Sequence, residues 1–250
     1  MRLEVVGWLR RPYSHLASSY DRALGVPFLF RTRRAFEHLV QRYGLRFRSA
    51  ADLGCGTGLF ACYLNRRWGV PVFAVDRSPE MLRVALENCR VPRVCFLRQD
   101  IRELCLPSPV DLITANFDAL NHVLSSRDLQ DVFRRIRENL RPGGHLLFDI
   151  ITPCQPWARY VRRLPTTHGE LVQRVRWHRG RRLLTVLMVH RRPFSTTVEL
   201  HAERAYSPLD VGRWLQGTGF EVRGIHDAES LALASTCPSR AIMVARASMS

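Results

Sequence analysis

The stretch Ala51-Asp52-Leu53-Gly54-Cys55-Gly56-Thr57-Gly58-Leu59-Phe60 decides the fold. Its three glycines, at spacing two, follow an apolar strand pattern from Phe47 to Leu53 and precede a helical pattern opening near Leu59. Glycine serves where the backbone turns with positive φ, or where a ligand must approach without a Cβ in the way. A strand running through such a turn into a helix sets a ligand at the strand's carboxyl end, against the helix N-terminus. The pattern predicts a site for a nucleotide-like small molecule.

Outward from this turn, strand and helix patterns alternate over residues 47–151. Strands are expected at Phe47–Leu53, Pro71–Asp76, Val94–Gln99, Val110–Phe117 and His145–Ile151. A helix over Asp128–Leu140 carries Leu129, Val132, Phe133, Ile136 and Leu140 on one face, with Ser126 as its cap and Pro142-Gly143-Gly144 as its stop. Ser78-Pro79-Glu80 opens another helix, carrying Met81, Leu82, Ala85 and Leu86. Such alternation gives a mostly parallel sheet covered on both faces, with the strand carboxyl ends on one edge.

Residues 152–205 break the rhythm. A short Trp157–Leu164 segment is followed by three strand-like runs, with Arg179-Gly180 as a hairpin turn. Leu171, Val175 and Trp177 alternate with Arg174, Arg176 and His178, a face that is either solvated or lines a substrate site. Ser207-Pro208 then starts a helix, and strands follow near Phe220–Ile225 and Arg240–Arg246. Ahead of the core, Phe36, Leu39, Val40 and Tyr43 fall at helical spacing and Gly44 ends the helix. Tyr13 and Tyr20 either pack on the core or belong to a lid over the site. The expected fold class is α/β. It comprises a Rossmann-like seven-stranded, mostly parallel sheet with helices on both faces, an antiparallel β insertion after the fifth strand and an N-terminal helical lid. The expected divisions are 1–45 (lid), 46–151 (core), 152–205 (flap) and 206–250 (C-terminal part of the core).

The chain has 250 residues, 46% of them hydrophobic, which suits a globular core. No apolar run approaches the roughly 18 residues a membrane span needs. The patch Val5 to Leu9 is closed by Arg10, Arg11 and Pro12, too short for a signal peptide, so a cytoplasmic protein is expected. The net charge of +16 comes from 38 arginines and no lysine, spread along the chain. That composition reads as general bias ahead of selection for a polyanionic partner. Seven cysteines form no C-x-x-C pair and suggest reduced thiols, and the histidines show no metal-ligand spacing, so no metal is expected.

A dinucleotide fingerprint needs glycine where Leu59 stands, and no Gly-Lys-Ser/Thr follows to make a phosphate loop. The second strand ends at Asp76, 20 residues beyond Gly56, where a carboxylate accepts both hydrogen bonds of a ribose diol. Asp100 and Ile101 end the third strand, suited to an adenine amine and ring. The ligand therefore reads as a nucleoside without phosphate.

With these residues the chain resembles the class I S-adenosylmethionine-dependent methyltransferases. The matching pieces are Ala51 to Gly58, Val75 to Met81, Gln99-Asp100-Ile101, Val110 to Ile113 and Leu140 to Gly144, in order and at the family's spacing. The resemblance implies that Gly54, Cys55, Gly56 and Gly58 let the backbone approach S-adenosylmethionine. It also implies that Asp76 holds the ribose, Arg77 and Met81 lie beside the adenosine, and Asp100 and Ile101 frame the adenine. Asn116 and Phe117 would close the pocket near the sulfonium. Asp52 would either reach the methionine amino group through water or order the glycine turn.

The Tyr13/Tyr20 segment, the flap and Phe117-Asp118-Ala119-Leu120-Asn121-His122 resemble small-molecule N-methyltransferases. In that setting Tyr20 would cover the cofactor and His122 would lie near the acceptor, as a base or as a structural histidine. The leading expectation is an enzyme, monomer or homodimer, methylating a small-molecule amine or hydroxyl. A nucleic-acid methyltransferase and a non-catalytic partner subunit are the alternatives.

Overall fold

The computed structural model describes residues 20–156, 158–166 and 169–249; the expectations for Val5 to Leu9, Tyr13 and Trp157 lie outside these. A seven-stranded sheet is built from β1 (Ala50–Leu53), β2 (Val72–Asp76), β3 (Val94–Arg98), β4 (Val110–Ala115) and β5 (Leu140–Ile151), followed later in the chain by β10 (Phe220–Asp227) and β11 (Arg240–Ala247). Its order is β10-β11-β5-β4-β1-β2-β3, and β11 runs antiparallel to both its neighbours. Helices α1 (Val26–Tyr43), α2 (Leu59–Trp68), α3 (Pro79–Asn88), α4 (Ser126–Glu138) and α5 (Pro208–Gly217) cover it.

Adjacent residues of a strand face opposite layers. Thus Leu112 packs with Phe36, Leu39, Phe60 and Leu64 of α1 and α2. Its neighbour Ile113 packs with Leu129, Phe133 and Ile136 of α4 and Leu215 of α5. Each such Leu, Ile or Phe stabilises the fold by roughly 1.5–3 kcal/mol on burial. All four residues of β1 are buried, as expected of a central strand covered on both faces.

Ser78 and Ser207 cap their helices as expected, accepting hydrogen bonds from the Met81 and Asp210 backbone N–H groups at 3.2 and 3.5 Å. The α4 cap is Ser125 and not Ser126, because Ser125 still has extended backbone (φ −103°, ψ 132°) and can accept from Asp128 N–H. The expected stop, Pro142-Gly143-Gly144, instead lies within β5. The helix ends at Asn139, whose amide nitrogen donates to the Leu104 and Arg135 carbonyls and whose Oδ1 accepts from Leu106 N–H.

The flap is a four-stranded antiparallel sheet in the order β6 (Arg159–Thr166), β7 (Gly169–His178), β8 (Leu183–Arg192) and β9 (Ser195–Arg204). Only three strand-like runs were expected there. β6 is an edge strand whose residues 159–163 are all exposed, so no alternation marks it, and Pro165 is tolerated at an edge. Leu171, Val175 and Trp177 face inward with Leu184, Val186 and Met188, packing on Tyr20 and Leu24 ahead of α1 and on Met81 and Val84 of α3. Arg174 and Arg176 are exposed, as a solvated face requires. β9 is inverted. It buries Glu199, His201 and Glu203 while Val198 and Leu200 are more than a third exposed.

Asn121 ties the two sheets together. Its Nδ2 donates to the carbonyls of Ile151 (β5) and Arg204 (β9), and its Oδ1 accepts from Ile151 N–H. The cysteines correct the expectation of reduced thiols: Cys62 pairs with Cys89 and Cys154 with Cys237 in disulfides, at Cα separations of 5.8 and 6.0 Å. The partners are 27 and 83 residues apart, so no local spacing announces them. Cys55, Cys95 and Cys105 are free. Among the described residues no helix is long and apolar enough to cross a membrane.

Candidate active site

The turn from β1 to α2 forms the site's floor. Gly54 has φ +65°, and a Cβ on it would lie 2.8 Å from the Ala119 Cβ. Gly58 has φ +77°, and a Cβ there would press on Ala85 and the Phe96 ring at 3.0 Å. Gly58 therefore seats α2 against α3 and β3, and it borders none of the cavities described below.

A cavity of about 500 Å³ opens over this turn, at the carboxyl edge of β1, β2 and β3. Gly54, Gly56 and Asp76 line it on one side, Arg77 and Met81 where β2 leads into α3, and Asp100 and Ile101 beyond β3. Tyr20, Phe117 and His122 also border it. Asp76 Oδ2 accepts from Gly56 N–H and Oδ1 from Ser78 N–H, each at 2.8 Å. Each oxygen keeps a second lone pair, so the carboxylate has two acceptor positions left for a diol. Burial raises its pKa, and the two N–H groups oppose that rise.

Asp100 is gripped by Arg102, which donates from Nε to Oδ1 at 2.9 Å and from Nη2 to Oδ2 at 2.7 Å. That guanidinium holds the Asp100 carboxyl below the usual carboxylate range. Arg102 also lines the cavity, with Gln99, Ser125 and Asp128; Gln99 belonged to a matching piece of sequence, and none of the four was named as a site residue.

A smaller space of about 70 Å³ continues past Gly54 to Asp52, Cys55 and Asn116. Asp52 accepts from Thr114 Oγ1 at 2.8 Å and Asn116 Nδ2 at 3.5 Å. Burial nevertheless pushes its carboxyl up to about 7. Burial, with Asp76 and Asp52 nearby, pushes the Cys55 thiol well up, so it stays un-ionised.

Phe117 and Asp118 follow β4 with φ +57° and +62°, a left-handed conformation uncommon for such side chains. Neighbours hold both in place. The Phe117 ring stacks on Phe28 with centroids 3.8 Å apart, and Asp118 is paired with Arg240. Arg240 also pairs with Asp149 of β5, and its charge lies over the Phe28 ring at 5.7 Å.

A third cavity, of about 380 Å³, lies between α1 and the flap. Tyr20 and Phe117 border all three spaces and form the wall between the first and the third. Glu203, Asp118, Tyr160 and Arg31 line this third cavity, and none of the four was named as a site residue from the sequence. His122 borders the first cavity and not the third. Its Nε2 is 3.9 Å from Glu203 Oε1. Burial, helped by the neighbouring His201, lowers its pKa to about 4, so it is neutral at pH 7.

Residues 50–144 match the profile of a family described as a methyltransferase domain. The chain is 28% identical over 198 residues to a trans-aconitate 2-methyltransferase of Afipia carboxidovorans, covering 76% of this chain and 75% of the relative. It overlays an S-adenosylmethionine-dependent methyltransferase from Clostridium acetobutylicum with a TM-score of 0.76 at 23% identity, covering 95% of this chain and all of that one. A sugar N-methyltransferase from Streptoalloteichus sp. gives a TM-score of 0.78 at 16% identity, covering 99% of each chain. At these identities the two structures speak to the fold alone. Residues 50–144 thus match a methyltransferase domain, set in a chain that has the fold of the class I methyltransferases.

Proposed function

We propose that the enzyme transfers a methyl group from S-adenosylmethionine to a small-molecule amine or hydroxyl held between the lid and the flap. The carrying observation is that Tyr20 and Phe117 border both the 500 Å³ and the 380 Å³ cavities, so one aromatic wall separates two ligand spaces. When bound, S-adenosylmethionine supplies a methyl on a cationic sulfonium, open to in-line displacement. The two spare acceptor positions of Asp76 suit its ribose hydroxyls. Asp100 Oδ2, which accepts one bond from Arg102, keeps a lone pair for the adenine amine, with Ile101 beside the ring. Asp52 and Asn116 sit where the methionine end would lie, and Tyr20 caps the whole.

The protein's contribution is positioning and exclusion of water, which in oriented systems reach effective molarities on the order of 10⁵ M or more. The volume of the third cavity suits a small molecule and not a nucleic-acid strand. A carboxylate acceptor is the second reading, favoured by Arg31 and Arg162 on that cavity and by the methyl acceptor in the relative's name. Methyl transfer from labelled S-adenosylmethionine to amine, hydroxyl, carboxylate and RNA pools tests this. Label in the RNA pool alone overturns the small-molecule reading.

A further inference from the structure

Charges are sorted along the third cavity. Glu203 and Asp118, 8% and 7% exposed, lie at its inner end, whereas Arg31 and Arg162 are exposed at its mouth. The third cation on its lining, Arg240, is bound by Asp118 and Asp149. Among the described residues no arginine lies within ion-pairing distance of Glu203; its ion-pair neighbour is His122, which is neutral at pH 7. The inner end therefore holds a buried carboxyl group without a matching cation, which burial keeps protonated until about pH 8 while the site is empty, beside the rings of Tyr20, Phe28 and Phe117.

Burying a charge is costly unless a partner of opposite sign is supplied. An ammonium group supplies it and also gains about 0.5–2 kcal/mol from aromatic faces. A carboxylate at the same place is repelled by Asp118, and a neutral hydroxyl gives Glu203 no counter-charge with which to ionise. We propose that the acceptor presents a cationic amine at this inner end, and that Glu203 takes its proton. This rests on the small-molecule reading above.

An ammonium nitrogen has no lone pair with which to attack. A proton passes from it to the Glu203 carboxylate, giving a neutral amine and a carboxylic acid. The amine lone pair then forms the N–C bond while the methyl–sulfur bond breaks. That electron pair stays on sulfur, leaving a neutral thioether, and the product departs as a methylated ammonium. Glu203 returns its proton to water. The groups facing Glu203 are Asp118 after β4, Asp149 on β5, Arg240 on β11, Tyr160 on β6 and His122. Burial and the two aspartates raise its pKa above the carboxylate range, Arg240 opposes them, and the net rise brings its proton affinity toward an amine's.

The test pairs matched acceptors with two variants. Wild-type enzyme is given putrescine and glucosamine, beside butanediol, glucose and succinate, with labelled S-adenosylmethionine; label is expected in an amine alone. Glu203→Gln should lower kcat/KM for that amine about 100-fold and abolish the acid limb of its pH profile, and Glu203→Asp should recover part of both. The same amine should bind about tenfold more weakly to Glu203→Gln carrying S-adenosylhomocysteine, by calorimetry. Wild-type turnover in Glu203→Gln, or label in the alcohols or the acid instead of the amines, overturns the proposal. Should Glu203→Gln fail to fold, the wild-type pH profile decides, and a rate independent of pH from about 6 to 9 overturns it. Wild-type protein that binds no S-adenosylmethionine by calorimetry would instead bring down the function reading itself.

Discussion

Thr57 Oγ1 donates a hydrogen bond to Asp21 Oδ1, joining the segment ahead of α1 to the glycine turn across 36 residues of sequence. Asn88 at the end of α3 donates to the other carboxylate oxygen at 2.7 Å. Asp21 follows Tyr20 directly, so these two bonds fix where Tyr20 stands over the cavities. A hydrogen bond to a charged group contributes about 1.5–3 kcal/mol. Asp21→Ala should therefore weaken S-adenosylmethionine binding roughly tenfold or more by calorimetry. An unchanged dissociation constant would mean that Tyr20 keeps its place without this link.

Asp76 is expected to matter more. It holds the Gly56 N–H and is proposed to hold the ribose as well. Asp76→Ala should weaken S-adenosylmethionine and S-adenosylhomocysteine alike, by roughly 100-fold for two charge-assisted bonds. Calorimetry with both ligands checks this, and wild-type affinity in the variant would remove Asp76 from the cofactor site.

Asp52 gives a pH prediction. Its folded pKa, pushed up to about 7, lies well above that of an exposed carboxyl, so the folded state holds its proton longer than the unfolded chain does. Stability from this group is present below the unfolded value and is lost as pH rises through about 7. Asp52→Asn keeps an acceptor for Thr114 but does not titrate. Without cofactor, the melting temperature of the variant minus that of wild type should grow from pH 5 to about 7 and then level off, amounting to a few kcal/mol at most. A difference that is flat with pH would contradict the burial of an ionised carboxylate there.

Arg240→Met should leave Asp118 and Asp149 buried together without their cation. Removing one side of such a pair typically costs about 3–5 kcal/mol. The double variant Arg240→Met/Asp149→Asn should recover part of that loss in a denaturant titration. Strict additivity of the two changes would show that the groups do not interact.

Sequence patterning carried the central sheet well because its signals are local. Glycines, capping serines and apolar runs each act within a few residues, and Asp76, Asp100 and Ile101 follow from strand ends alone. The acceptor side was far less legible. In β9, alternation of Val198, Leu200 and Ala202 with Glu199, His201 and Glu203 suggests an apolar face turned inward, yet the polar set is inside. The reason is tertiary. Pairing Val186 with His201 and Met188 with Glu199 puts those residues on the flap's inner face, where His201 lies 3.2 Å from Glu199. Glu203 follows two places on, within reach of His122. Arg240 was read only as the start of a strand, since both its partners are more than 90 positions away.

The antiparallel course of β11 has a consequence for how the site comes to exist. Because β11 runs against its neighbours, its first residue, Arg240, arrives at the edge where the parallel strands end, beside Asp118 and Asp149. β11 also lies between β5 and β10 and not at the margin, so β10 joins the sheet only through a strand made after it. A chain whose β11 has not yet inserted has two converging carboxylates that repel each other and an outer strand with nowhere to pair. Insertion of β11 therefore completes the sheet and supplies the cation for the two carboxylates in one event.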